Sequence, residues 1–391
     1  MSQLQYLVGN ESILPQPMEP YAEEICAFAA AFSEALRKHP EAKQYPDVMT
    51  AAFWCRKAKI QQKKQQWEKR GEVRLGRGLV FHVTPSNVPI NFLFSYLFSL
   101  LAGNANLVRV PSKPFPQVSC VCQVLQEVLK YYPAIEARTA LIQYPVDPTI
   151  TEMYSKQADA RMIWGGDRTV STIRSYPTKP KCLDLCFPDR YSICLLEGKA
   201  IAAADEAALQ RLAEGFYQDT YLMDQNACSS PQMIVWKQAE KETKQRFWEA
   251  VAKYAKQRYV LQPASCVEKY LKFCQDGIEG SKKRKGSRVE NLLYRVEVEE
   301  LSADCTNLRG SCGYFYEYTI QEEEEFLPLL TEKVQTITYY GINPKELQSW
   351  LCQQAVRGVD RIVPIGKALE METIWDGYEM IELLSRIIEV K

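Results

Sequence analysis

The chain has 391 residues, enough for two or three domains rather than one small core. Hydrophobic residues at 46% and charged residues at 25% give the balance of a globular protein, and 48 Lys+Arg against 48 Asp+Glu leave no net field to draw nucleic acid or an anionic membrane surface. The 13 Cys are odd in number and scattered without a Cys-x-x-Cys pair, and His39 and His82 are the only His, so neither a disulfide framework nor a metal site is expected.

Met1 to Pro20 carries neither a basic start nor an apolar run, so no secretory signal is expected. With reduced thiols, that points to the cytoplasm. Tyr21 to His39 and Asp47 to Arg70 read as helices. His39 ends the first, where a cation suits the helix dipole and needs no chemistry. The second ends in "KAKIQQKKQQWEKR", expected to be a solvated face. "GLVFHVTP" then reads as a strand and Pro89 to Ala102 as a helix. The longest apolar segment, Val88 to Ala102, is shorter than a bilayer span and interrupted by Asn91, Ser95 and Ser99, so it reads as buried and no membrane span is expected.

The alternation continues with "NLVRV" as strand, Phe115 to Tyr131 as helix, "TALIQY" as strand and Pro148 to Gln157 as helix. "ARMIWGG" follows as strand, then a helix from about Asp167, then strands "KCLDL" and "YSICLL". Alternating strands and helices with short gaps predict a doubly wound parallel sheet. From Ala200 the pattern restarts, with a helix to Gln218, the strand "PQMIVW" and a helix from Gln238 to Gln257. A boundary is therefore expected near Gly198. "GSKKRKGSR", Gly280 to Arg288, reads as a solvated loop, with a phosphate-contacting loop as the sharper alternative. Glu322 to Glu325 reads as a solvated helix start.

Three segments carry candidate chemistry. In "HVTPSNVP", His82 to Pro89, Asn87 lies in a strand-to-helix turn at the edge where open α/β sheets bind ligands; it is either a helix cap or a functional donor. In "RMIWGGDRTVSTIR", Gly165 and Gly166 allow close backbone approach before a helix N-terminus, or simply form a tight turn. In "DQNACSSPQ", Cys228 sits among small and polar residues, unlike Cys182 and Cys194 in apolar strands. A thiol in such a turn can ionise and act as a nucleophile, or be an ordinary loop Cys.

Together these segments resemble the acyl-CoA reductase family of the aldehyde dehydrogenase superfamily, the family of the bacterial luminescence fatty-acid reductase. "DQNACSSPQ" resembles its nucleophile motif, and "HVTPSNVP" with "GNANLVRVPS" its Asn turn and cofactor-ribose segment. The C-terminal "GVDRIVPIGKAL" and "WDGYEMIELLSR" are also similar. The resemblance spans roughly Gly78 to Lys391. It implies an aldehyde-dehydrogenase-like α/β fold of two doubly wound domains with an N-terminal helical extension. The expected division is 1–70 helical, 71–198 with about 366–391 cofactor-binding, and 199–365 catalytic.

The resemblance implies Cys228 as nucleophile and Asn87 as an oxyanion donor beside the Cys228 amide. Thr84, Ser86, Arg109, Ser112, Gly165, Gly166 and Asp167 would contact a nicotinamide cofactor. Arg109 stands where the superfamily typically has Lys, and Ser112 where NAD-preferring members often carry Glu, so NADPH is expected over NADH. "CLDLCFPDR" stands where dehydrogenases carry their general-base Glu, at Asp184, but with Cys186 and Phe187 in place of glycines. Asp184 is therefore expected to be structural. The implied reaction reduces a fatty-acyl thioester to an aldehyde, with acyl-CoA or an acylated carrier or synthetase protein as donor. An acyltransferase or thioesterase using the same Cys is the alternative. Phe92, Phe94 and Tyr96 either line an apolar tunnel or pack in the core. Homo-oligomerisation stays open.

Overall fold

The structure, a computed structural model, describes residues 4–85, 88–279 and 284–391. It divides into two compact units. One comprises the chain up to Pro188 together with Met371–Lys391, and the other Asp189–Glu370.

The first unit is built on six strands: β1 (Gln5–Val8), β2 (Leu79–Val83), β3 (Ala105–Arg109), β4 (Thr139–Gln143), β5 (Ala160–Trp164) and β6 (Leu183–Phe187). Their order is β1-β4-β3-β2-β5-β6. All pairings are parallel except that of β1, which runs antiparallel along β4. The chain winds one way from β2 to β4 and then returns to place β5 on the other side of β2. In open α/β sheets the carboxyl ends of the strands at such a reversal, here β2 and β5, are the place where ligands are held.

Successive side chains of these strands enter two different cores, as the period of two requires. Val80, Val108, Leu141 and Met162 pack with helices Glu23–Lys38, Asn91–Leu101 and Pro116–Leu129. Phe81, Leu107, Ala140 and Ile163 pack with Tyr154, Val170 and Ile173 on the opposite face. Asn91–Leu101 has ten of its eleven residues buried, which is why its sequence is apolar all round. The C-terminus returns to this unit through Ser385–Ile387, antiparallel to Arg74–Gly76, with buried Arg74 donating to Ser385 Oγ at 2.9 Å.

The second unit holds seven strands: β7 (Tyr191–Glu197), β8 (Pro231–Lys237), β9 (Arg284–Val289), β10 (Leu293–Val298), β11 (Tyr314–Ile320), β12 (Val334–Tyr340) and β13 (Arg361–Pro364). Their order is β9-β10-β11-β8-β7-β12-β13, parallel except for the β9–β10 hairpin. Both faces are again covered, one by a cluster around Tyr191, Ile193 and Met233, the other by one around Cys194, Ile234 and Trp236.

Several local expectations need correction. The chain enters the second sheet with β7, ahead of the Gly198 boundary that the restart of the alternation suggests. The expected helix Asp47 to Arg70 is two helices, Pro46–Trp54 and Lys57–Glu68, because Arg56 adopts an extended backbone. The second is not wholly solvated: Ile60 and Lys63 are buried, and Glu372 pairs with both Lys59 and Lys63. In the basic segment expected to be a loop, 280–283 lie outside the described residues, and Arg284–Val289 forms the edge strand β9. Residues 285–289 are exposed, so no alternation of apolar and polar residues marks this strand in the sequence. Phe92, Phe94 and Tyr96 are core residues. Phe94 meets Trp54 edge-on at 6.0 Å, and Tyr96 Oη bonds Thr139 Oγ1 at 3.0 Å.

Candidate active site

The nucleophile candidate lies in the second unit, at the amino-terminal edge of its parallel sheet. Helix Glu206–Thr220 ends in a short 3-10 turn, Tyr221–Met223. Asp224 (φ 50°) and Gln225 (φ 60°) then both take left-handed backbone, which Asp tolerates but which a Cβ-bearing residue such as Gln disfavours. This double reversal carries the chain into a turn closed by Ser230 N donating to Ala227 O at 2.9 Å, with half-buried Cys228 at its corner. β8 begins at Pro231.

The turn is tied down from several sides. Ser192 Oγ, on β7, donates to Cys228 O at 2.6 Å. Ser230 Oγ donates to Asp219 O at 2.7 Å. Tyr259 Oη donates to Asp224, and Cys312 N donates to Asp224 O at 3.2 Å. Asp219 reaches further: its carboxylate accepts from Gly366 N at 2.7 Å and Ala368 N at 2.9 Å, binding the C-terminal "IGKA" segment to this helix. Burial pushes the Asp219 carboxyl up to about 7, against the pull of those two amides.

Three of the other cysteines lie deep in the cores. Burial pushes the Cys55 and Cys122 thiols up to about 12 and the Cys194 thiol higher still, in keeping with inert core positions.

The cofactor candidates lie in the first unit, and those within the described residues gather at the carboxyl ends of its strands. Thr84 follows β2 and donates its hydroxyl to Arg109 O at 2.6 Å, joining the ends of β2 and β3. Arg109 ends β3. Its guanidinium lies 4.5 Å over the Tyr144 ring and donates to Tyr144 O at 3.4 Å. Ser112 and Lys113 are exposed beyond β3. Ser112 is not the cap of the next helix: Pro116 opens that helix and Phe115 is its N-cap residue.

Gly165 and Gly166 follow β5, with Gly166 as N-cap of helix Asp167–Arg174. A Cβ at Gly165 would press on Thr169 at 3.0 Å, whereas one at Gly166 would meet open space. Exposed Asp167 starts the helix. Thus β2, β3 and β5, the three adjacent strands at the reversal of order, present these residues together. Ser86 and Asn87 lie outside the described residues.

Three further polar residues find structural roles. Asp184 forms a two-pronged ion pair with Arg161. His82 is fully buried between Ser95 Oγ (2.8 Å) and Asn106 Oδ1 (3.1 Å), and burial pushes it down to about 3, so the ring is neutral. His39 does more than end its helix. Its Nδ1 lies 3.6 Å from Cys120 Sγ, with the Glu41 carboxylate within 4.8 Å of both. Of the residues that hold the Cys228 turn, Gln225 lies within "DQNACSSPQ", whereas Ser192 and Asp219 lie outside it and carry no signal in the sequence.

Solved structures share this architecture at low identity. Aldehyde dehydrogenase 21 from Physcomitrella patens aligns with a TM-score of 0.64 at 12% identity, over 95% of this chain and 86% of that one. A salicylaldehyde dehydrogenase from Pseudomonas putida G7 aligns with a TM-score of 0.61 at 12% identity, over 95% and 85%. Two doubly wound units with a helical N-terminal region therefore define an aldehyde-dehydrogenase fold.

Within that class the sequence is more specific. A profile of the acyl-CoA reductase (LuxC) family matches residues 29–285, and the chain belongs to that family. The long-chain acyl-protein thioester reductase of Vibrio harveyi is 27% identical over 176 residues. The aligned part covers 43% of this chain and only 35% of that relative. No helix among the described residues is long and apolar enough to cross a membrane.

Proposed function

We propose that this chain is a nicotinamide-dependent reductase that converts a long-chain acyl thioester into an aldehyde through a covalent intermediate on Cys228. The observation that carries this reading is a half-buried thiol at the corner of a turn held by Ser192, Asp224 and Ser230, in a chain of the acyl-CoA reductase family.

Cys228, as thiolate, attacks the thioester carbonyl. The new C–S bond forms as the donor thiolate leaves, giving an acyl-enzyme. The Cys228 backbone amide and the Asn87 side chain are the proposed donors to the oxyanion. The Gly165–Gly166 turn, the opening of helix Asp167–Arg174 and the Arg109–Ser112 segment would hold the dinucleotide. The open space beside Gly166 and the reversal of strand order between β2 and β5 fit such a group. When bound, a reduced nicotinamide supplies hydride to the acyl carbon. The tetrahedral oxyanion then left on Cys228 would re-form its C=O bond as the C–S bond breaks, releasing aldehyde and restoring the thiolate.

His82 is neutral and enclosed, so it is not a proton donor or acceptor in this scheme. Asp184 is engaged by Arg161, and no water-activating base is needed because the acyl-enzyme is reduced rather than hydrolysed.

The test follows NADPH oxidation and aldehyde formation with palmitoyl-CoA and with a palmitoyl thioester on a carrier protein. Aldehyde formed with equal consumption of NADPH supports the reading. Free fatty acid formed with no NADPH consumed would instead establish a thioesterase.

A further inference from the structure

We infer that Gln225 is the positioning residue of the nucleophile turn, the side chain that fixes where Cys228 stands at the edge of the sheet. The inference rests on the reading of Cys228 as nucleophile.

Gln225 is buried three residues before Cys228, and its side-chain amide has no unused valence. Nε2 donates to Tyr314 O at 3.0 Å and to Pro231 O at 3.3 Å. Oε1 accepts from Gly313 N at 2.8 Å and from Tyr314 N at 2.9 Å. A primary amide offers two donors and two acceptor sites, and all four are used. Its backbone is engaged as well, N donating to Thr220 O at 2.8 Å and O accepting from Gln232 Nε2 at 3.0 Å.

These partners come from every side of the turn. Thr220 ends the preceding helix, Pro231 starts β8, and Tyr314 starts β11. Gln225 therefore joins the entry to the turn, its exit and the neighbouring strand. Gln232 extends the link by accepting from Gly310 N at 2.8 Å. Gly313 is itself fixed: its φ is 86°, and a Cβ there would fall 2.3 Å from Leu292 O and 2.8 Å from Tyr221 Oη.

The same residue carries backbone strain. Asp224 and Gln225 are consecutive left-handed residues, and neither is Gly. Such a conformation persists only where the surroundings over-determine it. Gln225 supplies that surplus of bonds. Without its amide the chain can relax toward ordinary backbone angles, and the corner that presents Cys228 moves with it. A displacement of the order of 1 Å at a nucleophile is enough to lower a rate by roughly 10²-fold.

The experiment compares wild type with Gln225→Met and Gln225→Glu. Met keeps the length but makes none of the four bonds. Glu keeps an acceptor for the Gly313 and Tyr314 amides and loses the donors. Palmitoyl-CoA serves as substrate, iodoacetamide as a thiol probe and NADPH binding as a test of folding.

For folded Gln225→Met the expected result is a drop of about 30- to 100-fold in kcat and in Cys228 acylation. The KM for palmitoyl-CoA should stay within about threefold, NADPH affinity should be unchanged, and the midpoint of Cys228 alkylation against pH should move. Gln225→Glu should fall between Met and wild type. Wild-type acylation and an unmoved alkylation midpoint in folded Gln225→Met would overturn the inference. If the Met variant does not fold, Gln225→Glu decides in the same way. Cys228→Ser that still reduces palmitoyl-CoA would instead remove the functional reading itself, whatever Gln225 does.

Discussion

Arg161 and Asp184 stand side by side on β5 and β6 and close a two-pronged ion pair, Nε to Oδ1 and Nη2 to Oδ2, each at 2.7 Å. Arg161 is almost wholly buried, and its remaining Nη1 donates to Ile173 O at 2.7 Å. Asp184 thus completes the solvation of a buried cation. Asp184→Asn removes the charge and one acceptor while keeping the shape. We expect it to lower stability by about 2 kcal/mol, as for a lost charge-assisted bond, and to leave reductase turnover per folded molecule within about twofold. Urea unfolding and steady-state rates on the same preparation check both halves. A stable variant with turnover abolished would make Asp184 a functional acid or base.

Cys228→Ser should abolish acylation and reduction together, because a hydroxyl is a far weaker nucleophile at neutral pH. Stability should change little, since Ser keeps the size and polarity of the side chain and the turn is also held by Ser192, Gln225 and Ser230. Peptide mapping after reaction with a labelled acyl-CoA should find the label on Cys228. Label on another Cys, with the Ser variant active, would remove Cys228 from the scheme.

Asn87→Ala should lower kcat by on the order of 10²-fold with a smaller change in KM, as expected for a donor that acts on the developing oxyanion. The cap role is not the alternative, because the following helix starts at Asn91 with Ile90 as its N-cap residue; the alternative is a structural role in the turn. That role predicts lost stability and unchanged specific activity per folded molecule, which thermal melts and active-site titration separate.

The division between what was legible and what was not follows the physics of each segment. β2 to β5 and their helices leave a plain signal because each strand is buried on both faces, so "LVFHV" and "ARMIW" read as predominantly apolar runs between turns, each broken by one polar residue, His82 and Arg161. β9 leaves none because its exposed edge position lets "RKGSRV" be polar apart from Gly286 and the exposed Val289. Lys57–Glu68 reads as a solvated face because the carboxylate that draws in Lys63 is Glu372, far away in the chain. The Cys228 turn is visible as a cluster of small and polar residues. The role of Gln225 is not, because its partners Gly313 and Tyr314, at the start of β11, lie far along the chain.

His82 should make the protein more sensitive to acid. Burial pushes its pKa from about 6.5 down to about 3, and its neighbours Ser95 and Asn106 do not titrate. Below about pH 6.5 the unfolded chain takes up a proton that the folded chain refuses. The contribution of the neutral ring is therefore complete above about pH 6.5 and is lost progressively as pH falls toward 3. At pH 4.5 the loss is on the order of 2–3 kcal/mol. His82→Gln should be less stable at pH 7, and its stability should fall less between pH 7 and 4.5 than that of wild type. Parallel slopes for the two proteins would show that His82 is not the group responsible.

The cofactor preference should be for NADPH. The ribose of a dinucleotide bound at the β2–β5 reversal is expected against the segment that leaves β3, Arg109 to Ser112. A Glu there accepts from a ribose 2′-hydroxyl and repels a 2′-phosphate, whereas Ser112 is neutral and can donate to phosphate oxygens. Exposed Lys113 adds positive charge beside it, and Arg109 keeps its guanidinium at the end of β3 by stacking on Tyr144. Because Phe115 and not Ser112 precedes the following helix, changing Ser112 removes no cap bond. Ser112→Glu should therefore leave stability within about 0.5 kcal/mol, as for an exposed site. It should move the ratio of kcat/KM for NADPH over NADH by about tenfold or more toward NADH, the equivalent of about 1.4 kcal/mol. Arg109→Leu should weaken NADPH more than NADH, since a guanidinium fork suits a phosphate better than a hydroxyl. Steady-state kinetics with both cofactors decide the matter. A wild-type enzyme with the higher kcat/KM for NADH, or a Ser112→Glu variant with an unchanged ratio, would place the ribose elsewhere on this sheet.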